Sequence, residues 1–187
     1  MKRGVISFLT HVTILSLGPF ACASALELKS ADIQVGQPIG QKFVYDSLGC
    51  NGQNISPELI WSDPPEETKS FAVVVHDPDA PTGGAGFFHW IVADIPASVR
   101  SLPQGAGAAD GKKLAAGSRQ LENDFGDPGW GGPCPPPRAS AHRYNFTIYA
   151  LGIERLGLPA NAKASVAQSA IEKNALAKAT ISSRYGR

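Results

Sequence analysis

A mainly β fold with a helix near the C-terminus is what this chain predicts, and three features carry that expectation. Ser70-Phe71-Ala72-Val73-Val74-Val75-His76 is an unbroken apolar, β-branched run halted by Asp77-Pro78, which is the pattern of a strand buried on both faces. Two runs of similar character, Phe87 to Ile95 and His142 to Leu151, are bounded by loops rich in Gly and Pro. From Ala162 to about Ser183 the composition turns helical, with Ser165 placed as an N-cap and Ala167, Ile171 and Ala175 spaced by four.

The elements follow in chain order. Lys2 and Arg3, the apolar stretch from Val5 to Leu17, and the small residues Ala23-Ser24-Ala25 read as a cleaved secretory signal over residues 1–25, with a buried first helix and a lipoprotein signal acting through Cys22 as the alternatives. One domain is then expected over 26–187, in a periplasmic or secreted protein with no stable membrane insertion once the leader is gone. A turn-rich stretch from Cys50 to Pro57 precedes a short strand at Leu59-Ile60-Trp61. Pro78 and Pro81 end the buried strand, Thr82 to Gly86 supplies a turn, and Pro96 closes the next strand. The segment from Ala97 to Pro137 has little apolar periodicity, and a connection of that length is expected to wall a site.

Composition narrows the class. A chain of 187 residues, 43% hydrophobic and 18% charged, can bury one substantial core. Its 17 basic and 16 acidic residues form no Lys/Arg block, so the charge pattern gives no footprint for nucleic acid or for adhesion to an acidic membrane. With Cys22 removed in the leader, Cys50 and Cys134 remain. An oxidising compartment makes a single disulfide the expectation, with two free thiols as the alternative.

Titratable residues gather where the strands meet the loops. Asp77, Asp79, His89, His142 and Tyr144 flank Pro-punctuated or Gly-rich segments, including Gly131-Gly132-Pro133. Such a set suits a small polar cleft for a charged headgroup. A period of two places His142, Tyr144, Phe146 and Ile148 on one face. It groups His89 with Ile91 and Ala93, away from Phe88 and Trp90, and turns Arg143 to the opposite face, into a structural ion pair. The triple proline 135–137 reads as a stiff loop.

Five motifs now stand in order: Cys50-x-Gly52-x-Asn54-x-Ser56-Pro57, Asp77-Pro78-Asp79-Ala80-Pro81, His89-Trp90, Gly131-Gly132-Pro133-Cys134-Pro135-Pro136 and His142-Arg143-Tyr144. Together they resemble the phosphatidylethanolamine-binding protein family, in its bacterial Raf-kinase-inhibitor-like branch, over essentially the whole chain after the leader. The resemblance implies a large antiparallel sheet packed on a smaller one, with one or two helices toward the C-terminus. It also implies an anion pocket lined by Asp77, Asp79, His89, Gly132, Pro133, His142 and Tyr144, with no cofactor and no metal. The implied ligand is a small phosphorylated or carboxylated molecule, and modulation of a partner protein is expected by analogy.

The residues fit that role on their own chemistry. His89, His142, Tyr144 and the amides of the Gly131-Gly132 turn can donate to a phosphate, while Asp77 and Asp79 can accept from an ammonium or hold the histidine rings. The sequence departs from the family pattern at Arg138-Ala139, where bacterial relatives tend to show a glycine turn, and at Trp130, where a tyrosine is usual. The competing class is a hydrolase in which two Asp and two His bind a metal or act as acid and base. No H-E-x-x-H, G-x-S-x-G or P-loop motif supports it, and no nucleophile is evident.

Overall fold

The computed structural model describes residues 25–159 and 161–187, so the predicted leader, Cys22 included, lies outside the described residues apart from Ala25. In chain order the elements are β1 (Glu27–Lys29), a 3-10 turn (Gln41–Phe43), β2 (Leu59–Ser62), β3 (Ser70–Asp77), β4 (Phe87–Pro96), β5 (Ser101–Leu102), β6 (Arg119–Gln120), β7 (His142–Leu151), α1 (Ala164–Asn174) and β8 (Ala175–Tyr185). A five-stranded sheet runs β6-β4-β3-β7-β8 and a three-stranded sheet runs β1-β2-β5, with every ladder between these strands antiparallel.

β3 is central because its run from Phe71 to Val75 is apolar on both faces. Phe71, Val73 and Val75 enter the core between the sheets with Trp61, Trp90, Phe146 and Ile148. Ala72 and Val74 enter a second core with Ile91, Tyr149 and the helix residues Ala167 and Ile171. Both faces of β3 are therefore covered, as its unbroken apolar run predicts. Phe71 has no exposed surface, and truncating such a side chain to Ala typically costs about 3–5 kcal/mol.

The C-terminal segment corrects one expectation. The helix ends at Asn174, not near Ser183, and the chain passes directly into β8. Ser165 is not its N-cap; Lys163 occupies that position with no side-chain bond. Ala and Lys favour a helix by at most about 0.7 kcal/mol each, whereas β8 gains a ladder with β7 that runs from His142↔Tyr185 to Leu151↔Ala175. Alternation then sends Ala177, Ala179, Ile181 and Tyr185 against the inter-sheet core. Tertiary pairing outweighs local preference here.

A bulge in β4 corrects a second. Val75 pairs with Trp90 but His76 pairs with Phe88, so His89 is an extra residue in the ladder. The bulge breaks the period of two: Trp90 lies in the inter-sheet core and Phe88 in the helix-side core. His89 leaves the face of Ile91 and Ala93 and meets Tyr144, ring centroids 5.1 Å apart. Without that one-residue insertion its imidazole would face the helix layer.

Candidate functional site

Where β3 ends, β4 bulges and β7 begins, the large sheet opens into a cleft of about 220 Å³. Asp77, His89, His142 and Tyr144 form its polar floor, and Leu48, Pro81, Phe87, Phe125, Pro135 and Pro136 are among its apolar walls. Strand alternation supplies three of the four polar groups. Asp77 follows Val73 and Val75 on one face of β3, and His142 and Tyr144 precede Phe146 on the facing side of β7.

Asp77 is 2% exposed, and its Oδ2 accepts from His142 Nδ1 at 2.7 Å. Its other oxygen accepts from the Asp79 amide at 2.8 Å. The carboxylate thus fixes the His142 ring with the proton on Nδ1 and leaves Nε2 as that ring's free nitrogen. As an imidazolium, His142 donates from Nε2 as well.

His89 is held differently. Its Nδ1 donates to the Gly131 carbonyl at 2.6 Å, while the Gly131 amide donates back to the His89 carbonyl at 2.9 Å. Burial pushes the imidazole down to about 4, against the raising effects of the Gly131 carbonyl and the Asp77 charge. At neutral pH the ring is uncharged, its single proton sits on Nδ1, and Nε2 carries a lone pair. The expectation that His89 donates to an anion is therefore corrected: at neutral pH it accepts.

Tyr144 supplies the donor. The residue has no exposed surface, and its hydroxyl has no hydrogen-bond partner among the described residues. Burial first, and then the Asp77 charge, raise its ionisation far above the ordinary phenol value, so the hydroxyl keeps its proton. A buried, unpaired O–H costs about 1–3 kcal/mol. A cleft lined by this residue offers a ligand the means of satisfying it.

Three of the expected pocket residues sit elsewhere. Asp79 turns outward, where its carboxylate accepts from the Arg143 backbone amide at 2.8 Å and from Nε and Nη2 of the Arg143 guanidinium at 2.9 and 2.6 Å. Those bonds and the guanidinium charge hold the Asp79 carboxyl well below the usual carboxylate range. Arg143 is in the ion pair that alternation predicted for it. Gly132 and Pro133 lie behind the wall: the Gly132 amide donates to Asn54 Oδ1 at 2.8 Å, and the Pro133 carbonyl accepts from the Tyr45 amide at 3.2 Å. With the Gly131 amide committed to His89, neither amide of that turn is free for a phosphate. Gly132 is required sterically, because any Cβ there would overlap the Phe43–Tyr45 backbone.

The walls depend on a covalent tie. Cys50 and Cys134 form a disulfide, with Cα atoms 5.7 Å apart. It joins the 47–50 turn, which carries Leu48, to the 134–136 wall. Pro135 and Pro136 are wall residues as well as a stiff loop. Trp130 is not a wall residue; its indole donates to the Phe43 carbonyl at 3.1 Å. Arg138 takes φ +65°, the conformation a glycine would adopt freely.

Phe87, Phe125 and Leu48 were not legible as site residues. Phe125 is in the long aperiodic loop and is positioned by an Asx turn, its amide donating to Asn123 Oδ1 at 2.9 Å. Its ring stands 4.7 Å from Phe87 and 5.7 Å from His89. Only a Phe beside an Asn-Asp turn hinted at it. Among the described residues, no three His, Cys, Asp or Glu side chains converge closely enough to hold a metal ion.

With this geometry in view, the relatives are informative. A family model described as "Phosphatidylethanolamine-binding protein" matches residues 29–186. The chain belongs to the phosphatidylethanolamine-binding protein family. It is 42% identical to the UPF0098 protein YbcL of Escherichia coli over 99% of this chain and 98% of that one. It is 39% identical to the UPF0098 protein YbhB of the same organism, over 86% and 99%. A Mycobacterium tuberculosis protein named "Putative lipoprotein LppC" is 36% identical over 90% and 76%. The crystal structure of E. coli YbcL, described as a new member of the mammalian PEBP family, superposes with a TM-score of 0.85 over 88% of this chain and 99% of that one. The two-sheet architecture of the described residues of this phosphatidylethanolamine-binding family member thus has a solved counterpart. No helix among its described residues is long and apolar enough to cross a membrane.

Proposed function

We propose that this chain is an exported, non-enzymatic binding protein that captures the anionic head of a small phosphorylated or carboxylated molecule in the cleft around Tyr144. The observation that carries the proposal is the unpaired hydroxyl of Tyr144, buried in a cleft whose floor also holds the Asp77–His142 pair. A donor left without a protein partner in an aromatic-walled cleft is stabilised by a ligand oxygen, and His142 as an imidazolium adds charge and a second donor. Phosphoethanolamine, a small phosphomonoester, presents such an anionic head to this floor.

Calorimetric titration of phosphoethanolamine tests this reading. Tyr144→Phe removes one hydrogen bond to a charged group, worth about 1.5–3 kcal/mol, and is expected to weaken binding roughly tenfold to a hundredfold. Equal affinity in the folded variant would remove Tyr144 from the site. Export is supported by the Cys50–Cys134 bridge, by the leader pattern and by the lipoprotein name of one relative. Its test is the intact mass of the native protein, expected to correspond to cleavage after Ala25. A partner protein modulated by the loaded cleft extends the same reading and is tested by ligand-dependent co-purification.

The second reading is hydrolysis, favoured by one observation: the buried Asp77–His142 pair has the geometry of a general base and its orienting carboxylate. Turnover of a phosphomonoester that is abolished in Asp77→Asn would establish it.

A further inference from the structure

The direction of each hydrogen bond in the cleft limits which anion fits, on the reading that the cleft is an anion site. As a neutral ring, His89 cannot offer an N–H there, because its one proton, on Nδ1, is given to the Gly131 carbonyl at 2.6 Å and Nε2 has a lone pair. Tyr144, 5.1 Å away between ring centroids, can donate and has no partner. Nε2 of His142 is the third group, its ring held by Asp77 at 2.7 Å. A fully deprotonated oxyanion is satisfied by Tyr144, and by His142 when that ring is an imidazolium, but one of its oxygens then sits lone pair to lone pair against His89 in a desolvated site.

We infer that the cleft selects a tetrahedral oxyanion still carrying one acidic proton, a phosphate monoester or phosphonate as its monoanion, and discriminates against sulfates and sulfonates. The P–OH donates to His89 Nε2, and the unprotonated oxygens accept from Tyr144 Oη and, where that ring is an imidazolium, from His142 Nε2. No proton need be transferred for the complex to form.

The groups around His89 keep it an acceptor. On β3, Asp77 favours its charged form and His76 opposes it. β7 presents His142 and the neutral Tyr144, and the remaining ring contacts are Phe87 and Phe125. Desolvation outweighs the single favourable carboxylate, which already serves His142. A site built to receive a hydrogen bond rejects an analogue that lacks the proton far more strongly than an apolar pocket rejects a change of size.

Methylphosphonate and methanesulfonate provide the test, because at mildly acidic pH both are tetrahedral monoanions of similar size that differ in one oxygen-bound proton. Calorimetry on the unmodified protein is expected to show methylphosphonate binding at least tenfold more tightly. On raising the pH, the phosphonate should weaken more than the sulfonate, whose own charge does not change. His89→Gln, whose amide can turn either its N–H₂ or its oxygen to the ligand, is expected to narrow the preference. Phosphoethanolamine and a short-chain phosphatidic acid separate a soluble source of the phosphomonoester from a lipid one, and each should outbind sulfate.

Two results would overturn the inference in distinguishable ways. If phosphonate and sulfonate bind within twofold of one another and Tyr144→Phe weakens both, the anion site stands and selection for the protonated form fails. If neither binds at millimolar concentration, the anion site fails and the inference falls with it.

Discussion

Replacing Cys50 and Cys134 together by Ala opens a loop whose ends are 84 residues apart. In the chain-entropy model, closing a loop of that length removes about 4.5 kcal/mol of conformational freedom from the unfolded chain. For a domain of this size, each kcal/mol moves Tm by about 2–4 °C, so the double variant should melt about 9–18 °C below the oxidised protein. Differential scanning calorimetry measures the shift, and melting the unmodified protein in dithiothreitol repeats it without truncating any side chain. The loss should also reach the cleft, because the bridge holds Leu48 against the 134–136 wall. A shift within about 2 °C in both experiments would refute the reasoning, since it would mean that the unfolded chain gains no freedom when the loop opens.

His89 makes a pH prediction with a definite sign. Its unfolded imidazole takes up a proton near 6.5 and the folded one only near 4. The unfolded state therefore binds more protons between those values, so stability from this residue is full above pH 6.5 and declines as pH falls toward 4, by about 3 kcal/mol in all. Histidine Cε1 proton shifts followed by NMR should leave His89 untitrated through the neutral range; a midpoint near 6.5 would contradict its burial. Asp77→Asn should lower phosphoethanolamine affinity at least tenfold by disturbing His142, whereas Asp79→Asn should change it less than twofold because Asp79 faces Arg143; calorimetry on both variants separates floor from rim. Arg138→Gly should raise stability by about 0.5–1 kcal/mol, the left-handed cost of a side chain less the entropy a glycine adds to the unfolded state. Urea denaturation checks it, and a destabilised variant would show that Arg138 makes contacts worth more than its strain.

The long strands were legible because burial on both faces leaves a plain mark. Phe71 to Val75 is apolar throughout, and the predicted span from Ser70 to His76 falls one residue short of β3. His142 to Leu151 matches β7 at both ends. β8 was not legible, because Ala, Leu and Lys prefer a helix in isolation and only the ladder with β7 makes them a strand. The site was half legible for a related reason. Asp77, His142 and Tyr144 occupy regular positions on strands whose alternation the sequence shows. His89 was identified as a site residue but assigned the wrong neighbours, because a bulge is a property of two strands in register and not of either sequence alone. Asp79 and Arg143 are separated by 64 positions, and that contact takes Asp79 out of the cleft. Gly132 and Pro133 are required for chain packing behind the wall, a role that cannot be told from ligand contact without the fold.

The central claim is that a ligand oxygen completes the unpaired Tyr144 hydroxyl in the cleft above the Asp77–His142 pair. A crystal structure of the protein with phosphoethanolamine tests it most directly. The account predicts a phosphoryl oxygen at hydrogen-bond distance, about 2.5–3.0 Å, from Tyr144 Oη, with a second oxygen facing His142 Nε2. A headgroup bound elsewhere on the molecule, or one seated in the cleft with the Tyr144 hydroxyl still unpaired, would contradict it.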